Sequence, residues 1–190
     1  VYIHFGPPCG TFTRALEIPI AKWKIEAGCP VPVPLRDKDN VEGFAPEHLS
    51  ETGRIKVEKG NIIANFCAKV ATECSRRNIF WTIENPTNSY IWKMPSFIEL
   101  LNLPNIQSVD FESCMWGGER PKKTTFLTNC PAMAVLGVKC DKKHKHSKWG
   151  VHKEKDSGWQ FATAAECEYP GKLCKATAAA IKGAIGPFES

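Results

Sequence analysis

Residues 50–86 read SETGRIKVEKGNIIANFCAKVATECSRRNIFWTIENP, and the change of pattern inside this stretch decides the fold class. Ile55, Ile62, Ile63, Phe66, Val70 and Cys74 recur at helical spacing, while Lys56, Lys59, Lys69 and Arg76 fall mostly off that face. This predicts one long amphipathic helix from about Ser50 to Asn78 with a buried aliphatic stripe. IFWTI (79–83) then runs apolar without alternation, as a strand covered on both faces does. A helix feeding such a strand predicts an α/β layer with parallel strands. ENPTNS (84–89) follows as a turn-rich break.

Upstream, VYIHF (1–5) has the β-branched and aromatic composition of a strand and stops at Gly6, Pro7 and Pro8. TFTRALEIPIAKWKIEAG (11–28) predicts a helix interrupted at Pro19. Residues 29–49, with prolines at 30, 32, 34 and 46, cannot continue it and predict a long extended surface loop. Downstream, a helical segment over 89–103 carries Trp92, Phe97, Leu100 and Leu101. QSVDF (107–111) and TTFLT (124–128) read as strands on either side of a turn at Gly117 and Gly118. Residues 161–185 are alanine-rich and helical, broken near Pro170.

A chain of 190 residues predicts a single domain with a core of its own. With 43% apolar and 24% charged residues it has the composition of a soluble globular protein, and no apolar run is long enough to span a bilayer. The nine cysteines are odd in number and irregularly spaced, without a secretory signal, which predicts reduced thiols in an intracellular protein, the nucleus included, and not a secreted one. Cys67 and Cys74, like Cys167 and Cys174, stand seven residues apart, a spacing that puts each pair on one helix face for core packing. The chain opens on a strand rather than on Met, as a piece of a longer polypeptide would. Its net charge of +5 is concentrated in residues 138–155, VKCDKKHKHSKWGVHKEK, where seven lysines face only Asp141 and Glu154. Such a run forms either a solvated loop or a phosphate-tracking surface in which Trp149 stacks on a base.

The chemistry concentrates where two strands end. Open parallel sheets bind ligands at the carboxyl ends of their strands, and GPPC (6–9) and ENP (84–86) both fall there. Prolines ahead of Cys9 fix its direction, and Gly10, Thr11 and Thr13 leave room and donors for a bound group. Cys9 is therefore either a nucleophile that reacts as its thiolate or a buried thiol at a strand end. Glu84 is either a capping or ion-paired carboxylate or, half buried with its pKa raised, a group that holds a proton beside that thiol.

GPPCGTFTRA (6–15) resembles the catalytic loop of DNA cytosine carbon-5 methyltransferases, whose pattern is G-x-P-C-x-x-F-S, and IENP (83–86) resembles the E-N-V motif after the next strand of that family. MWGGERPKKTTFL (115–127) is similar to the family's later glycine turn, Q-x-R-x-R cluster and strand, and 161–170 is faintly similar to its L-T-x-x-E-x-x-R-L-x-x-F-P segment. A closer likeness is to methylase-like domains of mobile-element polyproteins, in which a P-C-x-x-x-S/T-R-A loop, an E-N-P-x-x-S-x-x-W segment and a C-x-x-x-H-x-H segment recur together. The resemblance implies a partial Rossmann-like methyltransferase sheet with flanking helices, lacking the N-terminal cofactor-binding half that carries the F-x-G-x-G loop. Residues 1–137 would be the catalytic half, 138–160 a basic Cys/His loop and 161–190 a C-terminal helical segment of the same domain.

Roles follow by position. Cys9 would attack carbon 6 of a cytosine turned out of the stack, with Glu84 on the ring nitrogen beside the amino group. Pro8, Thr13 and Asn85 would shape the substrate site, Asn85 bracing its turn, and Arg120, Lys122 and Lys123 would stand near the base or phosphates. S-adenosylmethionine would be the methyl donor, bound by an upstream part of a longer polyprotein, and nucleic acid, DNA foremost, the partner. The alternatives are a non-catalytic nucleic-acid-binding module of a mobile-element polyprotein and a decayed gene product without activity. Independently, Cys140, His144 and His146 are metal-ligand types within seven residues, with Cys130 available as a fourth, a set suited to structural zinc; the other reading is a basic loop with incidental histidines.

Overall fold

The computed structural model describes residues 1–154 and 158–186. Four strands, β1 (Tyr2–Phe5), β2 (Phe80–Pro86), β3 (Gln107–Glu112) and β4 (Lys123–Thr128), form one sheet in the order β1-β2-β4-β3. β1 and β2 run parallel, joined by a crossover through α1 (Lys22–Glu26) and the long α2 (Glu51–Arg76). β4 is antiparallel to both of its neighbours, so the sheet is mixed where helix-strand alternation predicts a parallel one. The short connection from β3 to β4 is too brief for a parallel crossover and closes as an antiparallel pair.

Each face of the sheet is covered. On one, α2 and α3 (Pro95–Leu101) pack against Trp81, Ile83 and Leu127, with Ile3 and Phe5 at the margin. On the other, α5 (Gly171–Ile185) and the turn Pro131–Leu136 cover Val109, Phe111 and Phe126. The alternation of strand residues between two buried faces explains the unbroken apolar run at 79–83. The stretch read as a basic loop contains β5 (Val151–Glu154) and all but the last residue of β6 (Gly158–Phe161), which pair antiparallel, and α4 (Ala162–Ala165) follows just beyond it. Lys155 lies outside the described residues. Among the described residues no helix is long and apolar enough to cross a membrane.

α2 begins at the Ser50 cap, whose hydroxyl accepts from the Gly53 amide, and spans the length expected from its periodicity. Its buried face differs from the predicted stripe. Gly53, Val57, Gly60, Ala64, Cys67, Ala68, Ala71 and Cys74 face inward, whereas Ile62 and Phe66 are 61% and 60% exposed and Ile55 and Ile63 are also exposed. Of the six predicted residues, only Val70 and Cys74 contact the core. The small residues let the helix lie close to the sheet, where Trp81 and Ile83 fill the volume; larger side chains on that face would hold it away. Cys67 and Cys74 are core residues as expected, but Cys167 and Cys174 are exposed and share no helix face, because Cys167 lies in the turn after α4 and Cys174 in α5, on the other side of Pro170.

The loop over 29–49 has the extended character its prolines require, but it is pinned rather than merely superficial. Arg36 is 1% exposed and donates to Val41 O (2.7 Å), Asn61 Oδ1 (2.8 Å) and Thr11 Oγ1 (2.9 Å), with its guanidinium 3.8 Å from the centre of the Phe12 ring. One side chain thereby fastens the loop, α2 and the segment after Cys9 together.

Candidate functional site

The parallel pairing of β1 with β2, Phe5 opposite Ile83, brings the two sequence motifs to one edge. Glu84, Asn85 and Pro86 belong to β2 itself rather than to a turn, because β4 continues to pair with them (Glu84 opposite Phe126) beyond the end of β1. After β1 the chain turns tightly: the Cys9 carbonyl accepts from the Phe12 and Thr13 amides at 2.9 and 2.8 Å, and Phe12 is fully buried. Asn85 braces this turn from the neighbouring strand, its Nδ2 donating to the Pro7 carbonyl at 3.0 Å. Pro7 is buried and Pro8 exposed, which leaves Cys9 half-buried at the rim. Thr13 caps the 3-10 turn Arg14–Glu17 by accepting from the Ala15 amide.

Glu84 is buried at 8% exposure on the face covered by α5. Its Oε1 stands 3.6 Å from Lys122 Nζ and has no hydrogen-bond partner among the described residues; its Oε2 accepts from the Tyr169 hydroxyl at 3.4 Å. Tyr169 in turn contacts His4 Nε2 at 3.0 Å, so a polar row runs from β1 across to Lys122. Burial raises the Glu84 carboxyl above its ordinary value, and Lys122 and Tyr169 only partly oppose this. Burial also raises the Cys9 thiol; Lys122 acts to lower it, while Glu84 and Cys167, within electrostatic reach, raise it further. The edge thus holds a protonated thiol and a carboxyl with enhanced proton affinity, with one ammonium acting on both.

The basic residues before and within β4 separate. Lys122 also donates to the Glu166 carbonyl at 3.0 Å. Arg120 is buried, with Nη1 on Glu166 Oε1 and Nε on the Lys148 carbonyl, both at 3.0 Å, so its guanidinium is committed within the protein. Lys123 opens β4 opposite Glu112 with its side chain exposed. Residues 166–170 close over Glu84 and leave a cavity of about 10 Å³ lined by Glu84, Lys122, Glu166 and Tyr169, among others. That is room for one water, not for a pyrimidine ring.

A second group lies farther along. Cys114, Cys140, His144 and His146 place four potential ligand atoms within 4.8 Å of one another, and they could hold a metal. Three of the four were legible in the sequence. Cys130 does not join them; it is fully buried in the core under α5, where the turn Pro131–Leu136 begins. Cys114 takes its place because the turn Ser113–Trp116 at the end of β3 faces the start of the basic loop: the Glu112 amide donates to Val138 O at 3.1 Å, and the Cys140 amide to Glu112 Oε2 at 2.6 Å. Its only signal in the sequence is a cysteine just after a predicted strand. Tyr169, Glu166 and Arg36 were also missed, since none stands near its partners along the chain.

No protein-family model, no curated protein and no solved structure matches this chain.

Proposed function

We propose that the edge formed by Cys9 and Glu84 is the nucleophilic half of a cytosine carbon-5 methyltransferase-like site acting on nucleic acid, and that 1–137 is its catalytic half. The observation that carries this is the placement of a cysteine held in a braced turn after one strand and a buried carboxyl on the parallel strand beside it, its proton affinity raised by burial, with Lys122 acting on both. Glu84 Oε1, ion-paired with Lys122 at 3.6 Å but accepting no hydrogen bond among the described residues, adds an acceptor suited to the amino group of the base.

In this mechanism Cys9, half-buried at the rim, passes its thiol proton to solvent water as the base arrives, and the resulting thiolate bonds to carbon 6. The electron pair of the 5,6 double bond moves toward carbon 5 and into the ring, and the proton held by Glu84 on the ring nitrogen offsets that charge. Asn85 holds the Cys9 turn in position through Pro7. Admitting the ring requires the 166–169 segment to move outward, because the cavity beside Glu84 is water-sized. The residues beside Glu84 form no pocket for S-adenosylmethionine: a cofactor of that size needs several hundred Å³, and the cavity there is about 10 Å³. No methyl-transfer step is therefore assigned to this chain's own residues. The metal taken up by the Cys/His group would be zinc in a structural role, apart from this chemistry.

The test is an oligonucleotide carrying 2-pyrimidinone, an electrophilic cytosine analogue lacking the amino group, incubated with the full chain. A covalent adduct in intact-mass spectra, absent from Cys9→Ser while non-covalent binding persists, is expected. An adduct of equal yield with Cys9→Ser, or none with the wild type despite binding, overturns the proposal. A second reading, a nucleic-acid-binding module, is favoured by Lys142, Lys143, Lys145 and Lys148, which are all exposed beside an exposed Trp149. Binding that falls steeply with salt and is lost on neutralising these lysines, with Cys9 irrelevant, would favour it.

A further inference from the structure

Cys114 and the Cys140–His146 stretch come from separate segments and converge, Cys114 buried and the other three ligand candidates half-buried or exposed. Cys140 Sγ lies 3.5 Å from His146 Nε2 and 3.9 Å from His144 Nε2, and the two Nε2 atoms are 2.9 Å apart. A tetrahedral zinc ion with bonds of about 2.3 Å to sulfur and about 2.0 Å to nitrogen would set S···N edges near ~3.5 Å and N···N edges near ~3.3 Å. The Cys140–His146 distance of 3.5 Å equals its edge, and the other two, 3.9 and 2.9 Å, need small side-chain adjustments toward theirs; the outer groups are placed to support the ligands. Asp141 Oδ1 sits 3.3 Å from Nδ1 of His144, the carboxylate that fixes the ring and leaves Nε2 free to ligate. The Lys142 amide, on a backbone with φ of 60°, donates to Cys140 Sγ at 3.3 Å, as is suited to a thiolate. Two thiolates and two neutral imidazoles around a divalent ion sum to zero charge, so the flanking lysines meet no uncompensated cation.

We infer that these four residues form a closed Cys2His2 zinc site that fastens the basic loop to the end of β3, and through it holds the cationic wall of the Glu84 pocket. All four positions are protein ligands, which leaves none for a reacting water. Immediately after His146, the Ser147 amide and hydroxyl bond Glu119 O and Oε2 at 3.0 and 3.1 Å, the Lys148 carbonyl takes Arg120 Nε, and Trp149 lies 5.9 Å from the Arg120 guanidinium carbon. Arg120 then grips Glu166, whose carbonyl takes Lys122. The metal site itself stands on geometry alone; only its link to the pocket rests on the proposed methyltransferase-like reading.

The full chain purified after expression with added zinc should carry one equivalent by elemental analysis. Cobalt substituted for it should give the intense visible bands of a tetrahedral ion together with thiolate charge transfer in the near ultraviolet. Cys114→Ser and His146→Gln should each abolish the stoichiometric metal, whereas Cys130→Ala should keep it, with circular dichroism confirming that each variant folds. Metal removal should speed tryptic cleavage in 138–150 by tenfold or more without equal cleavage of α2. Absence of metal from the wild type after reconstitution, or cobalt spectra unchanged in Cys114→Ser, overturns the site; a metal-bound protein with an unprotected loop overturns the clamp. All of these readouts are made without nucleic acid, so failure of the nucleophile proposal leaves them intact.

Discussion

Replacing Arg36 by Met removes the single residue that joins three segments around the Cys9 turn. Its guanidinium is buried with no carboxylate within ion-pair distance among the described residues; Nη1 and Nη2 make three short hydrogen bonds to Val41, Asn61 and Thr11, while Nε is buried without a hydrogen-bond partner among the described residues. Burial lowers its pKa to about 10, so it still carries its charge at neutral pH. Hydrogen bonds to a charged group contribute about 1.5–3 kcal/mol each, or roughly 5–9 kcal/mol for three. Methionine relieves the desolvation of a buried ion, a cost of several kcal/mol, and keeps part of the contact with Phe12. The expected net loss is about 2–4 kcal/mol in urea unfolding with an unchanged slope. Arg36→Lys should fall between the two, because an ammonium cannot reproduce the fork. Local release of 29–49 should accompany the loss, read as faster proteolysis there than elsewhere. A stability within ~0.5 kcal/mol of wild type, the range of ordinary surface substitutions, would refute the claim that Arg36 pins the loop.

Asn85→Ala leaves the Pro7 carbonyl without its donor and should cost about 1–3 kcal/mol by denaturant unfolding; no loss would show that the brace is dispensable. Glu84→Gln should flatten the dependence of Tm on pH. The folded carboxyl has its pKa raised above the unfolded value of about 4.3, so the stability linked to it is fully present below that value and is lost as pH rises through the folded pKa. The wild type should therefore decline relative to the variant as pH rises above about 4, and a rise instead would reverse the assigned cause. Phe66→Ser should change stability by less than about 0.5 kcal/mol as a surface site, whereas a loss near ~3 kcal/mol would restore Phe66 to the core.

The adjacency of the Cys9 and Glu84 motifs was legible because each follows an apolar strand and a helical crossover, ending in the long α2, separates them, which is the pattern of a parallel pair. The direction of β4 was not, since strand polarity depends on the length and path of the connection rather than on the strand's own residues. The orientation of α2 was misread for a definite reason. The helix has two apolar faces, one of large side chains and one of glycine, alanine and cysteine, and hydrophobicity alone favours the larger residues while close packing on the sheet favours the smaller. Three of the four Cys/His ligand candidates share one short segment and announce themselves by spacing. Cys114 comes from another segment, and Cys130 was an equally plausible fourth until β3 and β4 placed it in the core. Arg36 and Tyr169 act across long sequence separations, where no local pattern marks them.

Exchange of the carbon-5 hydrogen of cytosine is the most direct probe of the Cys9 and Glu84 edge, because it requires addition of sulfur at carbon 6 and needs no methyl donor. Addition makes carbon 5 basic; it takes a deuteron from heavy water, loses its original proton, and expulsion of the thiolate restores the base. Cytosine oligonucleotides incubated with the full chain in deuterated buffer should gain one mass unit per reacting base, with the gain abolished in Cys9→Ser and strongly slowed in Glu84→Gln. Exchange at the uncatalysed rate with a wild-type chain that demonstrably binds the oligonucleotide would contradict the nucleophilic assignment of Cys9.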